Sequence, residues 1–122
     1  MARIALIGLE PPAASQLADA LHGEFHQIEN KPQTVRPAEL SGYDIVFANG
    51  DGARYMPLLQ GVREMEPALP FVVVTRVPDT SDWLDALEAG ATDYCSAPFE
   101  ARQMKWLLET ALHPTLKQMA AA

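Results

Sequence analysis

One cysteine, Cys95, is all the sequence holds in 122 residues, so neither an internal disulfide nor a thiolate metal cage can brace the chain. No run approaches the roughly 18 apolar residues that a membrane span needs. The opening stretch MARIALIGLE lacks the long apolar core and cleavage site of a secretory leader. The expected setting is cytoplasmic, with no membrane partner. Basic residues are sparse: nine Lys and Arg, scattered from Arg3 to Lys117, face 16 Asp and Glu, and the net charge of −7 leaves no cluster to track a phosphate backbone. Direct nucleic-acid binding is therefore not expected. Ser-His-Asp and Cys-His arrangements are missing, Gly50-Asp51-Gly52 is too short to cradle phosphates, and His22, His26 and His113 have no ligand spacing. A non-enzymatic protein without cofactor or metal is expected.

What is present is material for a core. A chain of this length makes one domain and buries roughly two thirds of its unfolded surface. The continuous runs Ile4-Ala5-Leu6-Ile7, Asp44-Ile45-Val46-Phe47-Ala48-Asn49 and Pro70-Phe71-Val72-Val73-Val74-Thr75 read as strands buried on both faces, closed by Gly8, Gly50 and Arg76. Residues 25–29 suggest an edge strand and Tyr94-Cys95-Ser96 a short last one. Helical segments follow from Pro11-Pro12 through Leu21, over 54–65 with Tyr55, Leu58, Leu59, Val62 and Met65 on one stripe, over 80–89, and over 100–112. Asp79, Thr80 or Ser81 can cap the third of these and Gly90 stops it. Residues 30–42, with Pro32 and Pro37, suit a loop with one helical turn. Strands alternating with helices predict a doubly wound α/β domain on a five-stranded parallel sheet over 1–113, with 114–122 as a tail.

In such a sheet, function sits at the carboxyl ends of the strands. There the segments Asp44-Ile-Val-Phe-Ala-Asn49, Leu69-Pro-Phe-Val-Val-Val-Thr75, Ala86-Leu-Glu-Ala-Gly-Ala91 and Asp93-Tyr-Cys-Ser-Ala-Pro-Phe99 resemble the receiver domain of bacterial two-component response regulators. The likeness covers about residues 3–112. It implies the flavodoxin-like receiver fold with strand order 2-1-3-4-5. It also implies a phospho-accepting aspartate after the third strand, an acidic pair holding Mg²⁺ after the first, and a lysine before the proline. In this sequence those positions fall on Asn49, on Gly8 and Leu9, and on Ala97. An amide cannot form an acyl phosphate, and Gly with Leu offers no metal ligands. Thr75 at the hydroxyl position, Tyr94 at the aromatic position and the Ala97-Pro98 bond, whose family counterpart is cis, keep the switch pattern. The resemblance is therefore to a degenerate pseudo-receiver.

Glu10 and Asp51 flank the replaced positions. They make either a weak divalent site with Asp51 as acceptor or, for Asp51, plain turn chemistry between two glycines. Arg76 pairs with Glu10 or Asp51 or is a solvated loop residue, and the neighbourhood of Asn49, Thr75 and Arg76 could hold an anion. Cys95 reads as a small core hydrophobe. With Met104 facing the core, Leu108 and Ala111 share its side of the last helix and Trp106 falls opposite; Trp83 also faces outward, with Leu84 and Leu87 toward the core. The expected function is protein binding, with self, a sensor kinase or an output domain as partner. Asp79, Asp82, Asp85, Glu88, Asp93 and Glu100 stand without a base among them, and Arg102 and Lys105 follow. A homodimer would set one helix against the other around Trp83 and Leu107.

Overall fold

The computed structural model describes residues 2–21 and 27–112. Strands β1 (Arg3–Ile7), β2 (Gln27–Lys31), β3 (Ile45–Asn49), β4 (Phe71–Thr75) and β5 (Asp93–Ser96) form one sheet in the order β2-β1-β3-β4-β5. Every pairing is parallel. Helices α1 (Pro11–Leu21), α2 (Met56–Met65), α3 (Thr80–Glu88) and α4 (Ala101–Leu112) cover its two faces.

The continuous apolar runs follow from this cover. Alternate residues of a strand point to opposite faces, so a strand buried on both needs no polar partner positions. Val46, Ala48, Phe71 and Val73 enter one core with Leu59 and Val62 of α2. Their neighbours Ile45, Phe47, Val72 and Val74 enter the other, with Leu17 of α1 and Met104 and Leu108 of α4. Each fully buried Phe or Leu contributes about 1.5–3 kcal/mol of transfer free energy.

The loop over 30–42 contains one 3-10 turn, Pro37–Leu40, whose Leu40 is buried. A second, Asp51–Ala53, precedes α2, so the regular helix begins at Met56. The edge strand lies two positions later than its sequence signal, and Phe25 is outside the described residues, as are His22, His26, His113 and the 114–122 tail. Asp79 is the cap of α3: its Oδ1 accepts from the amides of Ser81 at 2.8 Å and Asp82 at 3.2 Å. Gly90 ends that segment with φ of 105°.

Three packing expectations are corrected. Leu84 and Leu87 are not core residues; they stay 47% and 36% exposed, because α3 meets the sheet through Ala86 and the larger apolar residues lie beside that contact. Met65 closes α2 one turn past Val62 and faces solvent. Leu107 is only 4% exposed, since it lies three residues after Met104 and shares its buried stripe. It cannot serve as the apolar centre of a surface contact.

Candidate functional site

The strand order reverses between β1 and β3, which leaves a crevice outside their carboxyl ends. Asn49 spans it. Its Nδ2 donates to the Gly8 carbonyl at 3.0 Å, and its Oδ1 accepts from the Asp51 amide at 2.9 Å. Both halves of the amide are thus spent tying the end of β1 to the turn after β3. Gly8 has φ of 68°, and a Cβ there would run into the Gln33 side chain. The backbone therefore favours glycine at a position where the family resemblance would put a carboxylate.

Asp51 reaches across to β4. Its Oδ2 lies 3.1 Å from Arg76 Nε and its Oδ1 3.3 Å from Thr75 Oγ1. Of its two candidate partners, Arg76 takes Asp51 rather than Glu10. The arginine is largely exposed, so the ion pair contributes about 0–1 kcal/mol and orients more than it stabilises. Thr75 is buried, accepts from the Val77 amide at 3.3 Å, and has one proton for two acceptors, Asp51 and the Val77 carbonyl at 3.2 Å.

These groups border a cavity of about 330 Å³. Leu9 and Ala97 line it, so two positions assigned charge by the family resemblance present apolar surface here. Pro12, Ala13 and Gln16 of α1, Val74 and Phe99 complete the walls. The sequence reading missed them, although residues 12, 13 and 16 fall on one helical face directly after β1, a spacing that could have placed them there. Glu10 also lines the cavity. Its backbone carbonyl accepts from the Ala14 amide at 2.8 Å, while its exposed carboxylate makes no hydrogen bond or ion pair with the described residues.

A hard divalent cation does not fit this donor set. Gly8 and Leu9 supply no oxygen from their side chains, both Asp51 oxygens are engaged, and among the described residues no three His, Cys, Asp or Glu side chains converge. The Ala97–Pro98 peptide is cis, and the Ala97 amide donates to the Thr75 carbonyl at 3.1 Å. On β5, the Tyr94 hydroxyl is buried without a hydrogen-bond partner among the described residues. Burial raises the pKa of the neighbouring Tyr55 phenol, helped by the charges of Asp82 and Asp85 and by Tyr94. Burial likewise pushes the Cys95 thiol up to about 12, with Asp93 adding to it. Of the expected contact residues, Trp83 and Trp106 are 41% and 53% exposed, and Arg102 and Lys105 are also at the surface.

No protein-family profile matches the chain. It is 32% identical over 78 residues to the KDP operon transcriptional regulatory protein KdpE of Escherichia coli K12, a match covering 64% of this chain and 33% of that protein. Among solved structures, NtrX from Brucella abortus aligns with a TM-score of 0.77 at 22% identity, over 98% of this chain and 28% of its own. A CheY-like receiver domain protein from Methanospirillum hungatei aligns at 0.76 and 16% identity, over 97% and 98%. This is the fold of response regulator receiver domains, and the chain resembles that family in sequence as well. It spans about a third of KdpE and less of NtrX. Among the described residues no helix is long and apolar enough to cross a membrane.

Proposed function

We propose that this receiver-type domain signals or scaffolds in the cytoplasm without phosphoryl transfer, by binding protein rather than by catalysis. One observation carries the reading: Asp51 places a carboxylate on Thr75 and an arginine on that carboxylate. Negative charge and its compensating cation are then supplied internally, next to the hydroxyl that a phosphoryl group would otherwise engage. Asn49, with both amide atoms bonded to the backbone, holds the turn that presents Asp51.

The partner is a second copy, a sensor kinase or an output domain, and charge complementarity favours the second copy. Around the exposed apolar side of α3, with Trp83, Leu84 and Leu87, stand Asp79, Asp82, Asp85 and Glu88. On α4, Trp106 is exposed beside Arg102 and Lys105. A two-fold axis would set each acidic helix on its mate's basic one, with the tryptophans between them.

Intact-mass measurement after treatment with acetyl phosphate and Mg²⁺ tests the first part, and an unchanged mass is expected. A phosphoryl adduct on Asp51 would replace this reading with that of a phospho-acceptor using a displaced aspartate.

A further inference from the structure

The cavity at the strand ends has the walls and the charge of a ligand site, and the charge is of the wrong sign for an anion. We infer that it binds a small organic cation with an apolar body, of the aralkyl ammonium kind. The inference rests on the reading above, in which the crevice no longer serves phosphoryl transfer.

Size is the first argument. A cavity of about 330 Å³ lies at the lower end of the range occupied by small-molecule sites. Its walls are the second. Leu9, Pro12, Ala13, Val74 and Phe99 give an apolar surface at the switch point, where an aromatic or branched alkyl group can be removed from water.

The third argument is what remains of the polar groups once internal bonds are made. Asn49 has its amide nitrogen on Gly8 and its amide oxygen on the Asp51 backbone. Thr75 Oγ1 and Arg76 Nε are both bonded to Asp51. An anion at the remaining Arg76 donors would lie beside the Asp51 carboxylate, with a second carboxylate in the same lining. Glu10 is that carboxylate, unpaired among the described residues, at the mouth of an apolar cavity. Two carboxylates against one guanidinium leave the lining with a net negative charge. An ammonium beside Glu10 with its hydrocarbon against Leu9, Ala13 and Phe99 meets each of these features, whereas an anion of the same shape meets the size and the apolar walls but not the charge.

The test uses three probes of one shape on the full chain: phenethylammonium, 2-phenylethanol and phenylacetate. Binding is followed by amide chemical shifts, with Gly8, Ala13, Thr75, Phe99 and the Asn49 side-chain amide as reporters. Phenethylammonium is expected to shift this set with about millimolar affinity or better. It should bind three- to fivefold more tightly than the alcohol, the size of one partly exposed charge pair, and phenylacetate should bind least. Glu10→Gln should remove the preference for amine over alcohol while leaving alcohol binding unchanged. Ala13→Phe, a change at a half-buried position on α1 whose ring fills the cavity, should abolish binding of both with the chain still folded by circular dichroism. Absence of shifts at these reporters, phenylacetate binding as well as the amine, or binding that survives Ala13→Phe would each overturn the inference. Intact mass after acetyl phosphate, read on the same sample, separates the two ideas. A phosphoryl adduct overturns the underlying reading, whereas an unchanged mass with no amine binding overturns this inference alone.

Discussion

At the scale of single residues, the amide of Asn49 does what an aspartate there could not. A carboxylate has no donor for the Gly8 carbonyl, so Asn49→Asp would set two acceptors 3.0 Å apart. Asn49→Asp is expected to lower unfolding stability by about 1–3 kcal/mol in urea titration and to restore no phosphorylation, since Gly8, Leu9 and Ala97 remain. Arg63 is a second residue of this kind, unmarked in the sequence. Its guanidinium donates to the carbonyls of Gly90 at 2.8 Å and Leu69 at 2.7 Å and to Thr92 Oγ1 at 3.2 Å, tying the end of α2 to the segments that lead into β4 and β5. Among the described residues no acidic partner is involved. Arg63→Ala would leave those acceptors without their donor, and a loss of about 2–3 kcal/mol is expected by the same titration. Arg63→Lys, which cannot present the planar fork, should recover less than half of it.

Among the elements, α3 is held differently from α4. A capped start, a glycine stop and one buried alanine fix α3, whereas α4 buries Met104, Leu107, Leu108 and Thr110. Truncation should therefore act in opposite places. Trp83→Ala is expected to leave the melting temperature of the monomer nearly unchanged, and Asp79→Ala to cost about 1 kcal/mol through loss of the cap. Leu107→Glu should unfold the domain, because it places a charge in the core between α4 and the sheet. Circular dichroism melts of the three variants check this ordering. A folded Leu107→Glu protein would contradict the packing described here.

For the molecule as a whole, association and pH response follow from what is exposed and what is buried. Sedimentation at high micromolar protein is expected to show a dimer that Trp83→Ala and Trp106→Ala shift toward monomer. Arg102→Ala should shift it far less, since exposed ion pairs contribute little. A wild-type monomer under those conditions would assign the α3 surface to a different partner. Cys95 sets the alkaline limit. Its folded pKa is raised to about 12, so above an unfolded thiol pKa near 9 the unfolded chain gives up a proton that the folded one keeps. Stability is then full below about pH 9 and falls as pH rises, by at most about 1.4 kcal/mol per unit from this group. Denaturant titrations at about pH 8 and pH 10 should show the decline in the native protein and a smaller one in Cys95→Ala, with burial of Tyr55 adding to both.

Fold class was legible in the chain because it is written in local pattern. Triple valine between Phe71 and Thr75, continuous apolar runs closed by glycine, and regular alternation with helical stripes demand strands covered on both sides, and such strands demand a parallel sheet. The strand ends were legible for the same reason, since Asn49, Thr75 and Ala97 each follow directly on a strand. What the pattern could not contain is which side of a stripe finds a partner. Leu84 and Leu87 have core chemistry but are left outside, because α3 contacts the sheet through Ala86. Leu107 has the same chemistry and is buried, because α4 packs against α1 and the sheet through Met104, Leu107 and Leu108. The pairing of Asp51 with Thr75 and Arg76, 24 and 25 residues away, likewise exists only once β3 and β4 lie side by side. Residue type and spacing determine what each segment must bury or cap. Tertiary structure decides which distant groups meet, because those contacts are made through space between segments that share no local sequence signal.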